Sequence, residues 1–144
     1  MNIVRYRASI ERLEGYTMEG KSRKHTVTVD EPYGADTAMN PIELMLNALG
    51  ACKIAVALDN AEKRGITIDG IKVDLVGTRH RKDPDNPEEE VYTGLVALET
   101  TYHIESDASE AELQELVDHV DATCPVGVTM KNGVEIESKL KVKK

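Results

Sequence analysis

The sequence predicts an α+β domain in the order β-β-β-α-β-β-α-α-β. Three observations carry this. Apolar and polar residues alternate in several short stretches, the mark of half-buried strands. A long apolar run with helical spacing follows Asn40 and Pro41. Strands cluster around two main helices instead of alternating with helices in βαβ units. With 144 residues and no internal repeat or linker, the chain reads as a single domain over 1–144.

The opening stretch alternates, with Val4, Tyr6, Ala8 and Ile10 on one face and Arg5, Arg7 and Ser9 on the other. A second strand is expected over Arg12–Met18, a turn over Glu19–Ser22, and a third strand over His25–Asp30 with Val27 and Val29 inward. Residues 30–39 are rich in turn formers. Asn40 suits an N-cap and Pro41 the first helical position, and the helix should run to Arg64 with Gly65 as its stop. Its expected apolar stripe is Ile42, Met45, Leu46, Leu49, Cys52 and Val56, and its length is about 37 Å at the helical rise. Ile66–Arg81 and Val91–Ile104 read as an antiparallel hairpin, with Ile71, Val73 and Leu75 on one face of the first strand. On the second, Val96, Leu98, Tyr102 and Ile104 share a face. Ser109 and Glu112 form a capping box for a second helix with the stripe Leu113, Leu116, Val117 and Val120. Pro125 begins a short third helix with Cys124 at its N-cap, Asn132-Gly133 turns the chain, and Val134–Val142 alternates as a last strand.

Composition narrows the function. The net charge is −8, with a sequence pI near 5.0, and no basic stripe is evident, which disfavours nucleic acid and anionic lipid as partners. The basic run at residues 139–144 is short and reads as a solvated strand end. There is no Phe or Trp, so aliphatic residues and Met must fill the core. No apolar run is expected to span a membrane. The first residues lack an apolar signal core, and two cysteines fit a reducing cytoplasm, where both thiols are free or cycle through a transient bond.

Residues 15–22, GYTMEGKS, match G-x-x-x-x-G-K-[ST]. A phosphate-cradling loop must follow a buried parallel strand and open a helix, because backbone amides at that helix start hold the phosphates. Here the match is followed by an alternating β-branched run ending in proline, so the segment reads as part of a β-hairpin. His25, His80, His103 and His119 show no metal-ligand spacing with one another or with a cysteine, and no zinc site is expected.

The two cysteines carry the remaining chemistry. Cys124 precedes Pro125 at a helix start, where unpaired amides favour a thiolate. Cys52 lies mid-helix on the apolar stripe, where burial alone would favour the neutral thiol. Whether the two thiols meet is open at this level. Glu43 lies in the first turn of the long helix, where the helix dipole favours its charge.

Residues 40–77, NPIELMLNALGACKIAVALDNAEKRGITIDGIKVDLVG, together with CPVGVTMKNGVEI from Cys124 to Ile136 and DEPYGADTAMNP before the helix, resemble the OsmC/Ohr family of thiol-dependent hydroperoxide reductases. The resemblance is nearest to an OsmC-like branch of that family. It implies curved antiparallel sheets wrapped around a long central helix in an intertwined homodimer, with sites at the dimer interface and no cofactor. It implies that Cys52 attacks the O–O bond of an organic hydroperoxide to give a sulfenic acid, and that Cys124 closes a disulfide. An external dithiol, such as a lipoyl-bearing protein, would reopen it. The resemblance also implies an arginine from the early strands, assigned to Arg23, and a glutamate near the helix start, assigned to Glu43, which holds that arginine. A guanidinium favours thiolate and can bind peroxide oxygens. The pattern departs at one point. Well-characterised members place the glutamate directly after the proline, whereas Ile42 stands there and Glu43 follows, a rotation of about 100° on a helix. A second reading keeps the same dimer and uses its apolar pocket to bind a small hydrophobic or thiol ligand.

Overall fold

The computed structural model describes residues 1–143, so Lys144, the end of the basic run, lies outside the described residues. The order is β1 (Ser9–Glu14), β2 (Thr17–Ser22), β3 (His25–Val29), α1 (Pro41–Lys63), β4 (Gly70–Arg79), β5 (Leu95–Glu105), α2 (Glu110–Thr123) and α3 (Pro125–Asn132). The α+β class is as expected. The chain divides into two compact units, one ending at Asn47 and the other beginning at Ala48, so α1 starts in the first and continues in the second.

In the first unit, β1, β2 and β3 form an antiparallel meander, with Ser9 opposite Lys21 and Glu19 opposite Thr28. The expected boundaries shift here. Residues 12–18 are not one strand: they hold the end of β1, a turn at Gly15, and the start of β2. Gly15 adopts a φ of 55°, a conformation that glycine reaches without a Cβ penalty. The Arg12 Nε–H donates to the Gly15 carbonyl at 2.8 Å and braces that turn. Residues 19–22, expected as a turn, belong to β2, and the chain reverses at Arg23 and Lys24 instead. The GYTMEGKS segment is therefore a turn followed by an antiparallel strand, and the next element is the strand β3, not a helix. Residues 1–8 make no strand.

A loop ordered by Asp30 leads from β3 to α1. Asp30 is fully buried, and its carboxylate accepts four hydrogen bonds, from the amides of Glu31 and Thr37 and the hydroxyls of Thr17 and Thr37. Those donors hold its pKa at about 2. Tyr16 and Tyr33 pack edge to face beside it, with ring centroids 4.8 Å apart. Asn40 and Pro41 open α1 as expected, and Gly65 follows its end with a φ of 69°.

The second unit pairs β4 with β5 antiparallel, and Ile71, Val73 and Leu75 lie half-buried on one face. On β5 the inward face is Leu98, Thr100, Tyr102 and Ile104. Val96 departs from it because the register shifts there, with Thr78 opposite Ala97 and Arg79 opposite Leu95. Ala57 and Ala61 of α1 pack with Leu116 and Val120 of α2, and Ile66, Ile68, Ile71 and Tyr102 surround them. The Ser109–Glu112 capping box opens α2.

The expected stripe of α1 needs correction. The buried residues in the second unit are Leu49, Gly50, Lys53, Ala57 and Ala61, whereas Met45 is exposed and Cys52 and Val56 are half-buried. The helix is apolar around its circumference, so spacing does not select a face. With 23 residues, and an 18-residue window of mean hydropathy 1.5 within it, α1 does meet the length and composition of a membrane-crossing helix, contrary to expectation. It carries a buried lysine paired to α2, the mark of a helix packed against protein. Residues 134–142, expected as a strand, have no ladder partner among the described residues.

Candidate active site

The second unit brings the two cysteines together. Cys124 is the N-cap of α3, with Pro125 at the first helical position. Its Sγ accepts a hydrogen bond from the Gly127 amide at 3.4 Å. A Cβ at Gly127 would stand 3.6 Å from that sulfur and 3.4 Å from the Leu49 side chain, ordinary contact distances. The half-buried Cys52 thiol reaches Cys124 from α1, and both cysteines are free thiols.

Cys124 is fully buried, and its pKa is pushed above the usual thiol value, first by burial and next by the Cys52 thiol. The Gly127 amide and the Lys53 ammonium act in the opposite direction without overcoming this. The low-pKa setting expected for Cys124 is thus corrected: one helix-start amide does not offset complete desolvation.

Lys53, only 6% exposed, lies next to Cys52 on α1. Its Nζ is 2.7 Å from the Asp121 Oδ1. The Tyr102 hydroxyl donates to the same oxygen at 2.6 Å. The ammonium also sits 5.7 Å from the centre of the Tyr102 ring. Burial, and then the bond to Asp121, raise the Tyr102 pKa. A cavity of about 560 Å³ opens beside this group, walled by Leu49, Lys53, Leu98, Asp121, Gly127 and Met130 among others. The sulfurs themselves are not on its wall, although Lys53 and Gly127 both act on Cys124.

The other two expected site residues belong to the first unit. Glu43 completes a capping box: its Oε1 accepts the Asn40 amide at 2.9 Å, while the Asn40 Oδ1 accepts the Glu43 amide at 2.8 Å. Arg23 occupies the β2–β3 turn with a φ of 55° and is exposed. Among the described residues no ion pair joins Arg23 to Glu43. Also among the described residues, no group of three or more His, Cys, Asp or Glu side chains could hold a metal ion.

Sequence reasoning missed Lys53, Asp121 and Tyr102. The available signal was Lys53 itself, a lone charge inside the apolar run ACKIAVAL, and Asp121 one helical turn before Cys124.

The chain is 27% identical over 130 residues to the hydroperoxide reductase of Mycoplasma pneumoniae, covering 90% of this chain and 89% of that one. It is 30% identical over 105 residues to the hydroperoxide reductase of Mycoplasma genitalium, covering 72% and 71% of the two chains. The crystal structure of an OsmC-like protein from Mycoplasma pneumoniae superposes with a TM-score of 0.79 at 26% identity, over 90% of this chain and 89% of that one. The OsmC-like protein family matches residues 34–139, a span that includes α1, the hairpin and both cysteines, and the chain belongs to that family.

Proposed function

We propose that the chain is a thiol-dependent peroxidase that reduces organic hydroperoxides through Cys52 and Cys124. The observation that carries this reading is the Cys52 thiol set against the buried Cys124 thiol beside a partly apolar cavity. The two hydroperoxide reductases similar to this chain support the substrate class.

In the first step the Cys52 thiolate attacks the distal peroxide oxygen. The O–O bond breaks, the alcohol leaves with a proton, and Cys52 becomes a sulfenic acid. In the second step Cys124 attacks the Cys52 sulfur, the S–O bond breaks, and water leaves as the disulfide forms. An external dithiol, such as a lipoyl-bearing protein, then reduces the disulfide. Arg23 is the cation assigned to Cys52 and the peroxide, with Glu43 as its anchor.

The working form in this reading is a homodimer in the cytoplasm. Ile136 and Leu140 are 84% and 86% exposed, and Val134 and Val142 are also open, so the alternating tail presents an apolar face suited to a second copy.

The cavity and the protonated Cys124 favour one alternative, a dimer that binds a small apolar or thiol ligand with little turnover. Consumption of cumene hydroperoxide in the presence of dihydrolipoamide separates the two readings. Steady turnover that falls at least about 10³-fold in Cys52→Ser is the expected result. Absent turnover, with saturable binding of apolar ligands, would favour the alternative.

A further inference from the structure

We infer that the Lys53–Asp121 ion pair, steadied by Tyr102, is the clamp that holds Cys52 against Cys124 and supplies the positive charge for disulfide closure. The clamp rests on the peroxide cycle proposed above and adds positioning residues to it.

The geometry places two links between the same two segments. Cys52 and Lys53 are neighbours on α1. Asp121 and Cys124 are three residues apart at the end of α2, a spacing that puts them on neighbouring parts of one face. One link is ionic, Lys53 to Asp121 at 2.7 Å. The other is the thiol pair, which becomes covalent on oxidation. Tyr102 closes a third side from β5, donating to the Asp121 oxygen that also receives the ammonium.

Charge matters most in the second chemical step. Cys124 must give up its proton to attack the sulfenic sulfur, and its buried setting opposes that. The groups acting on it are Cys52 and Lys53 from α1 and the Gly127 amide from α3; Tyr102 from β5 feels the Cys124 charge, and Asp121 on its own helix end pairs with Lys53. Lys53 is the cation in this set. Its ammonium offsets the developing thiolate, while Asp121 and Tyr102 hold its rotamer. As the S–S bond forms, the Cys52–oxygen bond breaks and the Cys124 proton departs with that oxygen as water. Cys124 is oxidised and the sulfenic sulfur is reduced.

The test follows closure directly, in wild type, Lys53→Met and Lys53→Arg. Reduced protein is mixed with one equivalent of cumene hydroperoxide, quenched with dimedone at intervals, and read by intact mass. The same series is run with diamide, an azo oxidant that takes up two electrons and two protons from a dithiol and needs no peroxide site. With either oxidant, Lys53→Met should close about ten-fold slower near neutral pH, the change in thiolate fraction that accompanies one pKa unit. Its closure should move to higher pH, with more dimedone-trapped sulfenic acid in the peroxide series, and Lys53→Arg should restore most of the rate. Closure of folded Lys53→Met at the wild-type rate and pH dependence would overturn the clamp. Equal losses in Lys53→Met and Lys53→Arg would also overturn it, reducing Lys53 to packing. A wild type inert to peroxide, with diamide closure still slowed in Lys53→Met, would remove the peroxidase reading and keep the clamp. Circular dichroism establishes that each variant is folded, with Lys53→Gln used if Lys53→Met is not.

Discussion

Asp30 in the first unit and Cys124 in the second are both fully buried, and their surroundings differ in kind. Asp30 is surrounded by donors: two amides and two hydroxyls stabilise its charged form. Cys124 has one amide, one cation and a second thiol, and burial prevails, so its neutral form is stabilised. The first arrangement fixes a loop. The second leaves a thiol protonated at rest beside the thiol that it attacks in the proposed cycle. A buried polar group bonded on every side supports structure, whereas a buried thiol facing another thiol retains chemistry to perform.

The contrast breaks most sharply at Asp30. Asp30→Ala removes the acceptor for four hydrogen bonds and should lower Tm more than Asp121→Ala, Lys53→Met or Cys124→Ala, without altering the Cys52–Cys124 closure rate. The pH dependence follows from the direction of the shift. The folded pKa, about 2, lies below the ordinary value of 3.8, so the contribution is fully present above 3.8 and is lost as pH falls through 2. The Tm deficit of Asp30→Ala relative to wild type should therefore be constant at neutral pH and shrink over that acid window. A deficit independent of pH would mean that Asp30 acts by packing alone.

A smaller effect is expected at the clamp, and it should be asymmetric. Asp121→Ala leaves a nearly buried ammonium without its partner, at a cost of about 1–3 kcal/mol in urea denaturation. Lys53→Met leaves a half-exposed carboxylate still bonded to Tyr102, at a cost within about 1 kcal/mol. Equal costs would show that the two partners are equally solvated.

The smallest effect lies at alkaline pH. The Cys124 pKa is raised from 9.0, so its neutral form contributes stability that is complete below 9.0 and is lost as pH rises through the folded pKa. Tyr102 acts in the same direction from 10.0. Thermal unfolding of wild type should lose stability above these values, and Cys124→Ala should lose less. An identical alkaline slope in both proteins would assign the loss to Tyr102 or to groups elsewhere.

What was legible in the sequence acted on nearby backbone. Asn40, Pro41, Ser109, Glu112 and Pro125 mark helix starts through local hydrogen bonds and a fixed φ, and they lie where their chemistry requires. The early strands shifted because Gly15 and Gly20 both offer a turn, while the second reversal falls on Arg23, whose positive φ no sequence rule selects. The buried face of α1 was hidden by apolar residues on every side. The meeting of Cys52 with Cys124, and of Lys53 with Asp121, depends on packing between distant segments, which spacing does not encode. The alternation at 134–142 was legible, but alternation alone names no partner, and among the described residues these form no ladder.

The most direct test of the two-cysteine cycle is intact-mass spectrometry of reduced protein after one equivalent of cumene hydroperoxide. It should be run on wild type beside Cys52→Ser and Cys124→Ser. The cycle predicts loss of two hydrogens in wild type, a trapped sulfenic acid in Cys124→Ser, and no change in Cys52→Ser. Unchanged mass in all three proteins would contradict it and leave the apposed thiols as part of a binding site.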